Sequence, residues 1–120
     1  MKKILIDTNA YAAFKKNEAH AVTAFKLVEY IGINIVVLGE LFSGFKGGNK
    51  EVKNKAELEQ FLDSPRVNVI QMDEETAEFY ARVYWDLKRK GKPVPTNDLW
   101  VAASAMRHGL ALFTYDEHFD

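Results

Sequence analysis

The chain of 120 residues contains no cysteine. Neither a disulfide framework nor a thiolate metal site can form, and nothing marks an oxidising compartment. Long hydrophobic runs are also missing. No segment approaches the ~18 consecutive apolar residues of a membrane span, and the stretch Ile4-Leu5-Ile6 behind two lysines is too short for a signal peptide. A cytoplasmic protein that does not enter a membrane is therefore expected. An excess of one charge is absent as well. The 16 basic and 17 acidic residues leave a net charge of -1, so any affinity for nucleic acid must come from local patches instead of the whole surface. Linkers, repeats and low-complexity tracts do not occur. What is present is 48% hydrophobic and 28% charged, enough for one core, and residues 1–120 are expected to form a single domain.

Hydrophobic periodicity divides the chain into alternating strands and helices. Lys2-Lys3-Ile4-Leu5-Ile6 reads as a buried strand that Asp7-Thr8-Asn9 stops with a turn. One face of a helix follows in Ala21, Ala24, Phe25, Val28 and Ile31. The β-branched run from Ile33 to Leu38 predicts a second strand, after which Gly39-Glu40-Leu41-Phe42 turns helical with Glu40 in the opening turn. A helix over about Lys50 to Leu62 ends at Ser64-Pro65, and a third strand spans Val67 to Met72. Asp73 caps a long helix, Glu74 to Lys90, whose buried stripe is Ala77, Tyr80, Ala81, Tyr84 and Leu87. Pro93, Pro95, Thr96 and Asn97 announce a helix that runs to His108 and stops at Gly109, and Leu110 to Thr114 is the fourth strand. Such alternation implies an α/β fold with a parallel sheet of four or five strands and helices on both faces.

That order places four carboxylates at one edge. Asp7 and Asp116 each follow the end of a strand, Glu40 opens a helix behind a strand, and Asp98 begins the helix that runs back to feed the last strand. Ligands bind at this edge of open α/β sheets. Each acid has an ordinary alternative: a turn for Asp7, dipole compensation for Glu40 and Asp98, a solvated loop for Asp116. Four unrelated caps have no reason to converge, whereas a hard cation that takes oxygen ligands requires it. Mg²⁺ or Mn²⁺ suits such a set.

The segments Ile6-Asp7-Thr8-Asn9, Glu40-Leu41 with Gly44, Thr96-Asn97-Asp98-Leu99-Trp100-Val101-Ala102-Ala103 and Leu112-Phe113-Thr114-Tyr115-Asp116-Glu117-His118-Phe119 together resemble a PIN domain, specifically a VapC-type toxin ribonuclease, over essentially the whole chain. The resemblance implies an α/β/α sandwich. It also implies that Asp7, Glu40, Asp98 and Asp116 are metal-binding catalytic acids, with Thr8, Asn9, Asn97 and Thr114 as polar support. The same resemblance brings an RNA substrate, a small antitoxin that blocks the site, and a homodimer. The sequence departs from the pattern in two places. Tyr115 stands where family members often have Arg, and the chain stops at Asp120 where many relatives continue into a last strand.

The chemistry so implied is hydrolysis of an RNA phosphodiester by metal-activated water, with no nucleophilic side chain. Ser43 and Ser104 have no His and Asp spaced around them, and His20, His108 and His118 fall in no ligand pattern. Two basic clusters are candidates for holding RNA: Lys46, Lys50, Lys53 and Lys55, and the better placed Lys88-Arg89-Lys90 with Lys92, just before Asp98. Cations at a helix C-terminus also answer the dipole. Phe79 and Trp85 lie off the buried stripe and suit an interface with a second copy or a partner. Other classes are a PIN-like binding module without activity and a Mg-binding receiver-type signalling domain, although Thr114-Tyr115-Asp116 lacks the lysine a receiver carries there. A haloacid-dehalogenase-type phosphatase would need Asp-x-Asp where this chain has Asp7-Thr8-Asn9.

Overall fold

The computed structural model describes residues 2–114. Its first strand, β1 (Lys3–Ile6), ends as expected, but Asp7-Thr8-Asn9 is not a turn. Asp7 takes an extended backbone, its carboxylate accepts the Ala10 N–H at 2.8 Å, and α1 (Thr8–Lys15) starts there. An aspartate at the N-cap satisfies one of the amide groups that a new helix leaves without a partner. The helix expected through Ala21 and Ile31 is also divided. Glu18 caps α2 (Ala19–Leu27), which stops before Val28, and Ile31 belongs to β2 (Tyr30–Asn34). Ile31 is buried all the same, as a residue of the sheet.

A further correction concerns the run Ile33 to Leu38. The strand ends at Asn34, and Ile35-Val36-Val37-Leu38 opens α3 (Ile35–Gly47). A short β-branched run is equally apolar as buried strand or buried helix. The Asn34 side chain decides between them by accepting the Val36 N–H at 2.5 Å. The remaining elements follow the expected order: α4 (Glu51–Leu62), β3 (Val67–Ile70), α5 (Glu74–Arg89), α6 (Thr96–His108) and β4 (Ala111–Phe113). Asp73 and Thr76 form a reciprocal capping box at the start of α5. Gly109 closes α6 at φ 63°, a left-handed conformation that favours glycine.

Among the described residues the four strands are parallel in the order β3-β2-β1-β4, and helices flank the sheet. The pairings Ile6↔Ile33 and Ile6↔Phe113 bring the next residues, Asp7, Asn34 and Thr114, to the same edge. The chain moves outward from β1 through β2 to β3 and then returns to the other side of β1 for β4. The crevice between β1 and β4 is thus a topological switch point. Leu5, Ile6, Ile31 and Ile33 fill the sheet's interior, with Phe25, Val37, Leu58 and Val101 packed on it from the helices. A Cβ at Gly32 would lie 3.0 Å from Leu110 and 3.1 Å from both Leu5 and Ile70, so β2 passes its neighbours without a side chain there.

Among the described residues no helix is long and apolar enough to cross a membrane. The helix α5 differs from expectation in its buried side. Thr76 is buried and Tyr80, Val83 and Leu87 are half-buried, whereas Ala77, Ala81 and Tyr84 are exposed. The stripe is rotated toward α6, because α5 packs on that helix and not on the sheet.

Candidate active site

Three of the four expected acids meet at the switch-point edge. Asp7 is 6% exposed, and besides capping α1 it accepts a hydrogen bond from the Thr114 hydroxyl at the end of β4. One carboxylate therefore links both sides of the crevice. Glu40 does not open its helix; it lies in the second turn of α3, too far along for dipole compensation to account for it. The Thr8 hydroxyl donates to its Oε1 at 2.6 Å, and Asn97 Nδ2 stands 3.4 Å from its Oε2. Asp98 is half-buried in the first turn of α6. The cap position of that helix belongs to Pro95, not to Thr96 or Asn97, and no side chain caps it.

Asp7, Glu40 and Asp98 line one cleft of about 510 Å³ together with Thr8, Asn9, Pro95, Thr96 and Asn97. Gathering carboxylates raises a repulsion that something must offset. Part of the offset is built in, since α1 and α6 both begin at the cleft and present their positive dipole ends to it. Asp116, Tyr115 and His118 lie outside the described residues. Pro95 and Thr96, expected only as signals for the start of α6, also line the cleft, and the closeness of Thr96 to Asp98 in sequence was the available signal.

The donors around the cleft are carboxylate, hydroxyl and amide oxygens, with no sulfur and no imidazole. Such a set fits Mg²⁺ or Mn²⁺, because hard cations take oxygen ligands. Among the described residues no three Asp, Glu or His side chains stand close enough to enclose an ion as they are. An open cleft of this kind matches Mg²⁺ in particular, which keeps several waters and uses one or two carboxylates. Nucleophilic serine chemistry has no support. Ser43 is exposed, Ser104 is sealed in the core against Asn34, and His20 and His108 are on the surface.

The basic segment at the end of α5 divides into two behaviours. Lys88 and Lys92 line an apolar hollow of about 370 Å³ with Pro93, Val94 and Leu99, and the Lys88 ammonium lies over the Tyr84 and Trp85 rings at 5.6 and 5.1 Å. Arg89 instead pairs with Asp86 at 3.4 Å. In the other cluster Lys46 pairs with Glu51 at 3.1 Å and Lys55 lies over Phe42. Away from the cleft, the Thr76 amide and the Arg107 guanidinium hold the Asp73 carboxyl well below the usual carboxylate range, which fastens the start of α5 to the end of α6. Burial, followed by the charge of Glu57, pushes the Tyr11 phenol up to about 12.

Known proteins resemble this chain in sequence and in fold. The family described as PIN domain matches residues 4–120. The chain is 31% identical to ribonuclease VapC4 of Mycobacterium tuberculosis over 73% of its own length and 68% of that protein's. It is 30% identical to the tRNA(fMet)-specific endonuclease VapC of Shigella flexneri, covering 95% of this chain and 86% of the relative. Its fold superposes on the crystal structure of DNA-bound VapBC from Salmonella typhimurium with a TM-score of 0.85 at 30% identity, over 99% of this chain and 91% of that one.

Proposed function

From the premise that this chain belongs to the PIN domain family, we propose that it is a VapC-type toxin ribonuclease whose single domain hydrolyses RNA phosphodiesters with Mg²⁺ or Mn²⁺. The observation that carries this reading is the convergence of Asp7, Glu40 and Asp98, from three separate elements, on one cleft at the switch point. With Asp116 as a fourth acid they would hold the metal, which when bound lowers the pKa of a water and neutralises charge on the phosphate. Thr8 and Asn97 hold the Glu40 carboxylate in orientation, and Thr114 does the same for Asp7. Carboxylates fixed in this way are not free to swing with each exchange of water or substrate, so less ordering is left to the reacting complex. Lys88 and Lys92 line a hollow in the segment that leads into Pro95 to Asp98, and from there they would hold RNA phosphates without reading sequence.

A small antitoxin protein is the proposed partner, in keeping with solved relatives that are VapBC complexes. A second copy is the proposed cover for the exposed Tyr84, Trp85 and Met106. The direct test measures cleavage of RNA by the purified protein. Cleavage should need Mg²⁺ or Mn²⁺ and stop in excess EDTA; full activity in EDTA would remove the metal from the mechanism. Thermal melts give a second readout. Repulsion among the carboxylates should make the metal-free protein less stable than its Asp7→Asn variant, and Mg²⁺ at a hundredfold excess over its dissociation constant should add about 2.7 kcal/mol to the unsubstituted protein and much less to the variant. Parallel melts in both conditions would refute a shared carboxylate site.

A further inference from the structure

The helices that carry Glu40 and Asp98 are joined deep in the core by a polar contact the chemistry does not use. Asn34 and Ser104 are both 0% exposed, and Asn34 Nδ2 donates to Ser104 Oγ across the interface between α3 and α6. The other half of the same amide accepts the Val36 N–H and starts α3. No buried side-chain oxygen or nitrogen among the described residues lacks a partner, and each polar atom of this pair has at least one.

Its position relative to the acids is symmetric. Glu40 lies six residues after Asn34 on α3, and Asp98 lies six residues before Ser104 on α6. At ~1.5 Å per residue each acid stands about 9 Å along its helix from the contact. The buried residues that α3 and α6 contribute to the core cluster include Val37, Leu38, Val101 and Ala105, all apolar. Apolar burial is proportional to area and has no direction. It holds the helices together but does not fix how far one slides along the other. A buried hydrogen bond does, because a slide that broke it would leave two polar groups without partners.

We propose that Asn34 and Ser104 are positioning residues for the metal site: their contact fixes the register of α3 against α6 and thereby the separation of the Glu40 and Asp98 carboxylates across the cleft. The identity of Asn34 follows from this double duty. The cap takes an acceptor and the tie a second polar atom that reaches α6, and the amide supplies both from one side chain without burying a charge; serine at this place would cap α3 but is one bond too short to reach across as well, and aspartate would bury a carboxylate. Ser104 has no local purpose of its own. A serine inside a helix gains little from its hydroxyl unless that group has a partner outside the helix. Mg²⁺ demands near-ideal octahedral geometry at about 2.0–2.1 Å from its ligands, so a shift in the spacing of two carboxylates acts directly on affinity.

The inference rests on the metal-dependent reading, and its test separates the two. Mn²⁺ binding to the intact protein is measured by calorimetry or by the loss of free-ion resonance, with thermal melts alongside. Asn34→Ser keeps the cap but cannot span to α6, and Ser104→Ala removes the acceptor. Val67→Ala, in the edge strand β3, serves as a control for general loss of stability. Asn34→Ser and Ser104→Ala should each weaken Mn²⁺ binding roughly 10- to 100-fold, the range for residues that orient ligands, while Val67→Ala at a comparable loss of melting temperature should leave it unchanged. Exchanging the two side chains, Asn34→Ser with Ser104→Asn, returns the long amide to the interface from the other helix and should recover part of the affinity. Mn²⁺ affinity in Asn34→Ser and Ser104→Ala equal to that of Val67→Ala would overturn the positioning role and leave the ribonuclease reading intact. Failure of the unsubstituted protein to bind Mn²⁺ at all would overturn both.

Discussion

The neighbouring helices α5 and α6 are both amphipathic and run side by side, yet they are used in opposite ways. In α6 the residues Leu99, Val101, Ala103, Ser104 and Ala105 are buried, and the first turn delivers Asp98 to the cleft. In α5 Thr76 is the buried residue, while Tyr84 and Trp85 remain 37% and 50% exposed. Small side chains let α6 lie between the sheet and α5 with close approach on both sides. From α5 the Tyr80 ring packs on Trp100 of α6 with centroids 4.2 Å apart, whereas Tyr84 and Trp85 meet rings of their own helix and leave much of their area uncovered. A helix fixed on two sides can hold a carboxylate steadily. One fixed on a single side has surface left for a partner.

The contrast can be broken at several points. The largest effect should come from Asp98→Asn, which keeps the shape of the side chain but loses the charge. Cleavage of RNA should fall by on the order of 100-fold or more, and a rate near that of the unsubstituted protein would remove Asp98 from the ligand set. Next in size are paired truncations read by denaturant unfolding. Leu99→Ala in α6 should cost about 2–5 kcal/mol, because a buried side chain leaves a cavity, whereas Trp85→Ala in α5 should change the stability of the monomer by less than about 1 kcal/mol. Equal costs would mean that the outer helix is as fixed as the inner one. The smallest effect belongs to Asp73, which joins the two helices through Arg107. Its carboxyl is held below its ordinary value, so its contribution is present above the unfolded pKa of about 3.9 and is lost as pH falls through the folded value. Asp73→Ala should therefore lower the melting temperature at pH 7, and the difference should shrink steadily below pH 4. A difference that grew in acid would contradict the sign of the shift.

Much of this architecture was legible from local patterns. The strands β1, β3 and β4 and the helices α4, α5 and α6 follow from short apolar runs, 3.6-residue spacing and stop signals such as Ser64-Pro65 and Gly109. These signals are short in range and act wherever they occur. The errors fell where two assignments had the same local cost. Ile35 to Leu38 suits a strand or a helix, and the capping bond from Asn34 settles it. Asp7 suits a turn or a cap, and the Ala10 amide settles that. In α5 the apolar positions were clear but the buried side was not, because it depends on which neighbour covers the helix.

The chain's pattern alone determined that acids stand after strand ends and at a helix start, and hence that Asp7 and Asp98 share an edge. It also determined that oxygen is the available donor chemistry, since there is no cysteine and the histidines follow no ligand spacing. Only the tertiary structure decided what holds those acids in place. Thr8 reaches Glu40 over 32 positions of sequence, Asn34 reaches Ser104 over 70, and Thr114 reaches Asp7 over 107. Contacts at such separations leave no periodicity behind, because their partners are set by strand order and helix packing and not by neighbours along the chain.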